Sequence, residues 1–240
     1  MNDVRTYRRR LPVSVERLYE NALDWARLPH VHAASVATVS LVSSDVDGWR
    51  ARIRAVGADA DIDTTLRLDR ATGCWIVRNA LGEVRTQVVP IATRCTDIVV
   101  DVSSDGVDIE RLTLLYDRDE AMMLERQRQL DTRIESRRAP APLVVGRRDE
   151  IALPHTLMFN GRAWVIADVR GAWRVYSARC PHMLGPLNPS CLDDNEVQCP
   201  WHGYRFDVVT GKCTSGQHYA LAPAPRVHID EAGRIVITAS

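Results

Sequence analysis

The chain has no surplus of charge of either sign: 31 basic residues balance 31 acidic ones. That balance removes any field-based case for nucleic acid or an anionic membrane as partner. No stretch approaches the roughly 20 consecutive apolar residues of a membrane-spanning helix. The start, Met1-Asn-Asp-Val-Arg-Thr-Tyr-Arg-Arg-Arg10, lacks the apolar core of a secretory signal. Cysteine is sparse too, with six in the chain. Cys74, Cys95, Cys191 and Cys213 are scattered and make no disulfide framework. A reducing, cytoplasmic setting is the expectation from free thiols of this kind. What is plentiful is apolar residue, 45% of the 240. That suffices for real cores, in one large domain or two small ones at roughly 100–200 residues each.

The other two cysteines carry chemistry. Cys180-Pro-His182 is followed by Cys199-Pro-Trp-His202-Gly203, so each half offers one thiolate and one imidazole. An asymmetric [2Fe–2S] cluster needs that donor set: two cysteines on one iron and two histidines on the other. Pro181, Gly185 and Pro186 shape the first segment into a tight loop, and Pro200 and Gly203 the second. Tetrahedral zinc also takes two Cys and two His. Zinc ligands usually come as a C-x₂₋₄-C pair and an H-x₃₋₅-H pair, whereas here Cys and His alternate.

A composition break at Ser136-Arg-Arg-Ala-Pro-Ala-Pro142 reads as a linker, giving domains at 1–136 and 143–240 with 137–142 between them. The second domain reads as short strands at 143–145, 156–159, 163–169, 173–177, 196–198, 204–208, 226–229 and 234–238, an all-β arrangement with two loops at one end. The first domain has another rhythm. A strand at 4–11 precedes a helix capped by Ser14, in which Val15, Leu18, Tyr19, Ala22, Trp25 and Ala26 recur at helical spacing. Six strands are expected at 36–43, 49–56, 62–69, 74–79, 84–90 and 96–103. A helix at 117–135 follows, with Met123, Gln127, Leu130 and Ile134 on its inner stripe. Arg8-Arg9-Arg10 reads as a solvated edge or a docking patch for an acidic redox partner.

The run Cys-Pro-His-Met-Leu-Gly-Pro-Leu … Cys-Pro-Trp-His-Gly-Tyr-Arg-Phe-Asp, then Thr-Gly-Lys, resembles the Rieske ferredoxin family over residues 143–240. The resemblance implies a [2Fe–2S] cluster on Cys180, His182, Cys199 and His202, and a flavin- or ferredoxin-type reductase as electron donor. Respiratory members join their two cluster loops by a disulfide; Gly185 and Trp201 stand at those positions here, so that bridge is absent. Respiratory members also place Ser and Tyr hydroxyls just after the second motif, where this chain has Tyr204 and Phe206. A ferredoxin-like potential is therefore expected, toward the low end of the roughly −150 to +300 mV Rieske span.

The element order β–α–β₆–α of the first domain resembles the START-like helix-grip fold, an α+β architecture in which a curved antiparallel sheet wraps a long helix. Such a fold implies a cavity for a small apolar or aromatic molecule. Rieske oxygenases pair these two domain types in the opposite order. Their catalytic motif Asn-x-x-Asp-x-x-His-x-x-x-x-His aligns with Asn21, Asp24, Arg27 and His32. The resemblance implies a mononuclear Fe(II) on His32 and Glu120, with Asp119 a weaker choice for the carboxylate; His30 is the expected second histidine on an extended segment, where residues two apart share a side. Asp24 would be the electron bridge or orienter of a histidine. It also implies a cyclic homo-oligomer. Arg27 departs from the motif: a guanidinium cannot ligate iron and repels it. Two functions follow. One is an O₂-dependent oxygenase fed by the cluster; the other is an electron-transfer protein whose first domain binds a ligand or partner without oxygen chemistry.

Overall fold

The computed structural model describes residues 4–103, 109–132 and 141–239. The chain divides into two compact units, Met1–Gln127 and Arg128–Ser240. The expected linker at 137–142 lies mostly outside the described residues, as does Ile134.

In the N-terminal unit, β1 (Arg5–Leu11) leads to α1 (Val15–Leu23), whose first turn is capped by the Ser14 hydroxyl accepting from the Arg17 amide. The expected continuation through Trp25 and Ala26 breaks at Asp24 into a separate 3-10 turn, Trp25–Arg27. A single helical turn, α2 (Leu28–Val31), follows. Pro29 sits in its first turn, where a missing N–H costs nothing.

Six strands then run in antiparallel succession: β2 (Val36–Asp45), β3 (Gly48–Ala55), β4 (Ile62–Asp69), β5 (Cys74–Asn79), β6 (Gly82–Ala92) and β7 (Cys95–Ser103). With β1 beside β7, the sheet order is β1-β7-β6-β5-β4-β3-β2. Strand alternation decides which side chains go inside. On β7, Thr96, Ile98, Val100 and Val102 are buried, while Asp97 and Asp101 face out. These two meet cross-strand partners: Arg10 pairs with Asp97, and Thr6 donates to Asp101 at 2.7 Å. Arg9, on the same face of β1 as Tyr7 and Leu11, instead reaches Asp117 and Glu120. Two of the three consecutive arginines are thus committed to carboxylates of this chain.

The helix α3 spans Ile109–Thr132, beginning eight residues before the expected 117. Leu112, Tyr116, Asp119 and Met123 fall on one face of it, at helical spacing, and all four line a cavity together with residues of the sheet. This is the helix-grip arrangement, α+β in class.

The C-terminal unit is all β. β8 (Leu143–Arg147) pairs with β16 (Arg234–Thr238), which also pairs with β15 (Arg226–Ile229). β9 (His155–Phe159), β10 (Arg162–Val169) and β11 (Ala172–Ser177) form a second sheet, Asn160-Gly161 making the β9–β10 turn. β12 (Leu192–Asp193), β13 (Glu196–Gln198) and β14 (Arg205–Asp207) form the third. Leu157, Phe159, Trp164, Ile166, Ile235 and Ile237 make the core between the first two sheets. The two loops bearing the Cys/His motifs are the β11–β12 connection and the β13–β14 turn.

Candidate metal centre and the N-terminal cavity

The two motif loops share one backbone design. In the first, the Cys180 amide donates to the Gly185 carbonyl at 2.9 Å and the Leu184 amide to the Cys180 carbonyl at 3.0 Å. In the second, the Cys199 amide donates to the Tyr204 carbonyl at 2.8 Å and the Gly203 amide to the Cys199 carbonyl at 2.9 Å. The fourth residue after each cysteine is left-handed, Leu184 at φ 63° and Gly203 at φ 67°. Glycine takes that conformation freely; leucine takes it at a cost of about 1 kcal/mol or more. Leu184 is fully packed, so its buried side chain offsets that cost.

These turns bring the four candidate donors together. Cys180 and Cys199 are buried within hydrogen-bond reach of each other. The His182 and His202 rings meet edge-on with centroids 4.5 Å apart. Backbone amides aim at each sulfur: those of His182 and Met183 at Cys180, and those of Trp201 and His202 at Cys199. A hydrogen bond joins the two thiols. The bond from Cys180 eases deprotonation of Cys199 and lowers its pKa. The same bond, then burial and the charge on Cys199, push the Cys180 thiol up. A bound cation removes that second penalty, because it stabilises both thiolates. Among the described residues no three His, Cys, Asp or Glu side chains gather as one metal ion requires. The four fall instead into a thiol pair and an imidazole pair, the division used by a two-iron cluster.

The surroundings fit a group wedged between the loops. A Cβ on Gly185 would lie 2.9 Å from the Trp201 ring and 3.0 Å from the Cys199 sulfur, so only glycine leaves this space. Gly185 and Trp201, the positions where the respiratory resemblance has a disulfide, are thus in contact, and all six cysteines are free. Tyr204 and Tyr219 stack on each other at 5.8 Å and both lie against the His182 ring, at 5.1 and 5.3 Å. Phe206 is fully buried and brings no hydroxyl.

The expected mononuclear iron triad does not assemble. His30 lies on α2 and is exposed, whereas His32, just past the same turn, is buried. The expectation rested on an extended segment, in which residues two apart share a side; in a helical turn two residues are about 200° apart. Glu120 lies beside Arg9, away from the cavity wall, because one step along α3 turns it about 100° from Asp119. Asp24 ends α1 and is not among the residues lining the cavity.

What does converge is a closed polar cluster. Arg27 donates through Nε to Asn21 Oδ1 at 2.9 Å and through Nη2 to Asp119 Oδ2 at 3.0 Å. Asn21 Nδ2 donates to the same Asp119 oxygen at 3.0 Å, and His32 Nε2 lies 2.8 Å from Asp119 Oδ1. All four residues are buried. Burial by itself would raise the Asp119 carboxyl; the Arg27 charge, then His32 and Asn21, outweigh it and hold the group below the usual carboxylate range. The residues present do not fit an iron ion, since the carboxylate is spent on a fixed cation and only one histidine is at hand. Arg27 pairs with Asp119. A helix starting at 109 would have shown this in the sequence, because the apolar stripe Leu112, Tyr116, Met123 carries Asp119 inward and leaves Glu120 off it.

Comparison with known proteins bears on one unit strongly. Residues 141–225 match the family model described as the Rieske [2Fe-2S] domain. A human Rieske domain-containing protein is 30% identical over 82 residues, 32% of this chain and 52% of that one. The ferredoxin component of the naphthalene 1,2-dioxygenase/salicylate 5-hydroxylase systems of Ralstonia sp is 35% identical over 57 residues, 23% of this chain and 55% of that one. The chain therefore spans about half the length of these relatives. Among solved structures, truncated norcoclaurine synthase from Thalictrum flavum is similar with a TM-score of 0.42 at 13% identity, over 51% of this chain and 94% of that one. No helix among the described residues is long and apolar enough to cross a membrane. Residues 141–225 form a Rieske [2Fe–2S] domain, in a chain whose N-terminal unit has helix-grip architecture.

Proposed function

We propose that this protein is an iron–sulfur electron carrier whose N-terminal unit binds a small apolar molecule and performs no oxygen chemistry. Cys180 and Cys199 would hold one iron of the [2Fe–2S] cluster, and His182 and His202 the other. When bound, the cluster supplies one-electron transfer, and a flavin- or ferredoxin-type reductase loads it. The amides aimed at the two sulfurs stabilise thiolate over thiol, and the two imidazoles lie at the Tyr204 and Tyr219 side of the site. The observation that carries the reading is the convergence of two buried thiols and two imidazoles from loops of matching backbone design.

The Arg27–Asp119 pair supports this reading over an oxygenase, since an arginine stands at the motif's first-histidine position and is paired with one of the two candidate carboxylates. The cyclic oligomer implied by the oxygenase resemblance loses its reason with the iron, because it serves to place one subunit's cluster beside another's iron.

Iron and acid-labile sulfide measured on anaerobically purified full-length protein test the proposal. Two irons per two sulfides, with a Rieske-type paramagnetic signal on reduction, are expected. A third iron retained after chelation restores the oxygenase; absence of sulfide removes the cluster.

A further inference from the structure

The N-terminal cavity has a volume of about 390 Å³, within the roughly 300–1,000 Å³ of small-molecule sites. Its wall is largely apolar, with Trp49, Trp75, Leu66, Val77 and Met123 among the lining residues. Trp49 has no donor to spare, since its Nε1 bonds the Ala22 carbonyl at 3.1 Å. Tyr116 makes a 3.4 Å contact with Thr86, and burial pushes its hydroxyl up to about 12, so it stays a neutral phenol. The charged part of the wall is the Arg27 cluster.

A count of hydrogens in that cluster shows what it can offer. The Asp119 carboxylate is ionised and only accepts; His32 Nε2 lies 2.8 Å from its Oδ1, yet that oxygen has no partner in hydrogen-bond geometry. Arg27 Nη1 lies 3.4 Å from His32 Nε2, a long contact that takes at most one of its N–H groups. Arg27 has five N–H groups. One goes to Asn21, one to Asp119 and at most one to His32, which leaves one on Nη1 and one on Nη2 with no acceptor in the cluster. The acceptors are out of reach: Asp119 Oδ2 and the Asn21 oxygen are bonded within the cluster, while Asp119 Oδ1 and His32 Nδ1, which have no hydrogen-bond partner, are both buried away from the cavity surface. The cluster therefore offers donors and no accessible acceptor, at a site whose fixed charges, Arg27 and Asp119, already cancel.

We infer that the cavity takes an apolar, ring-sized molecule carrying an uncharged acceptor oxygen, a carbonyl in the first instance, which Arg27 holds through its unused N–H groups. The inference rests on the binding-module reading above and gives its ligand a chemistry. A hydrocarbon leaves buried guanidinium donors unmet, which is costly. A carboxylate meets them but brings a net negative charge into an apolar cavity beside a cluster that is already balanced. A carbonyl meets the donors without adding charge.

Calorimetric titration of the cluster-loaded full-length protein with 2-tetralone, tetralin and 1,2,3,4-tetrahydro-2-naphthoate separates the cases. The ketone should bind about tenfold or more tighter than the hydrocarbon, as expected for a hydrogen bond to a charged group. The carboxylate should bind more weakly than the ketone. Arg27→Met alone would strand the buried Asp119, so the companion is the double variant Arg27→Met/Asp119→Asn. In it the ketone-to-hydrocarbon ratio should fall to within about twofold. Equal affinity for ketone and hydrocarbon in the natural protein overturns this inference and leaves the binding module standing. Tightest binding by the carboxylate overturns the uncharged ligand. A ratio that survives the double variant overturns the role of Arg27. Binding of none of the three overturns both the inference and the module.

Discussion

Each unit gathers buried polar side chains around histidine, yet the two gatherings are chemically opposite. In the N-terminal unit Arg27, Asp119, Asn21 and His32 contain their own cation: Arg27 and Asn21 both donate to the carboxylate, and His32 lies 2.8 Å from its other oxygen. In the C-terminal unit the converging groups are two sulfurs and two imidazoles, and the hydrogen bond between the thiols shifts them in opposite directions. The first cluster is complete as protein; the second is completed by metal. A set of residues that resembles a metal site is therefore not one when a fixed cation already stands among its donors. That contrast makes the two units respond differently to the same kind of damage.

The largest expected effect is in the C-terminal unit. Replacing His202 or Cys199 by Ala should abolish the visible absorbance and the paramagnetic signal of the cluster. The unit should lose stability with them, because structural metal binding is folding free energy. The N-terminal cavity should bind its probe ligand unchanged. A cluster signal that persists unaltered in either variant would remove that residue from the ligand set and break the comparison at its stronger end.

Next in size is Asp119→Ala. It leaves Arg27 buried without its carboxylate, and breaking a buried pair from one side costs about 3–5 kcal/mol. Amide hydrogen exchange in β7 and α3 should report the loss, while the cluster absorbance should not. The same pair fixes a pH response. The Asp119 carboxyl is lowered in the folded state, so the unfolded chain binds its proton first as pH falls. The stabilisation is fully present above the ordinary value of 3.8 and is lost as pH drops through the lowered one. Asp119→Asn should flatten the acid limb of the stability curve relative to the natural protein. An unchanged limb would mean the charge on Asp119 contributes nothing.

How much of this was legible in the sequence differs between the units for the same physical reason. Cys180, His182, Cys199 and His202 lie on tight loops where proline and glycine fix the chain locally, so spacing alone nearly defines the arrangement. The strands were legible as well, because alternation is local: 62–69, 74–79, 226–229 and 234–238 match the observed ends. The N-terminal site depends on the phase of α3, and that was not legible. Starting the helix at 117 left no stripe long enough to tell Asp119 from Glu120. The stretch 109–116 mixes Thr113, Tyr116 and leucines, residues at home in either a strand or a helix, so local propensity did not settle it. The α2 turn was missed because one helical turn has too few residues for a period, and its absence misplaced His30 relative to His32.

A smaller effect is expected at Gly185. A Cβ there meets Trp201 at 2.9 Å and the Cys199 sulfur at 3.0 Å, and Trp201 is itself buried with little room to recede. Overpacking of this kind costs about 1–3 kcal/mol. Gly185→Ala should therefore lower the iron content recovered per chain and the melting temperature of the cluster absorbance. Full loading with an unchanged melting curve would show that the two loops have slack where the structure has contact.

The smallest effect is expected at Glu120, and it sharpens the comparison most. Glu120 and Asp119 are adjacent carboxylates on one helix, and each is paired with an arginine from another element. Replacing either by Ala changes helix propensity in the same favourable direction by less than about 1 kcal/mol. They differ in surroundings. Asp119 is 8% exposed and faces the cavity. Glu120 and Arg9 keep about a fifth of their side-chain surface in water, and Arg9 retains Asp117 as a second partner. Removing Glu120 strands no charge, so its cost should be about 1 kcal/mol or less. That cost should shrink further in 1 M salt, where screening acts over roughly 3 Å. The cost of Asp119→Ala should persist in the same salt, because a buried pair is screened little. Measuring both variants by the same exchange experiment at low and high salt makes the test. Equal costs for the two, or a Glu120 effect that salt leaves unchanged, would mean that the phase of α3 is wrong by one residue, and would return Glu120 to the cavity as the carboxylate facing Arg27.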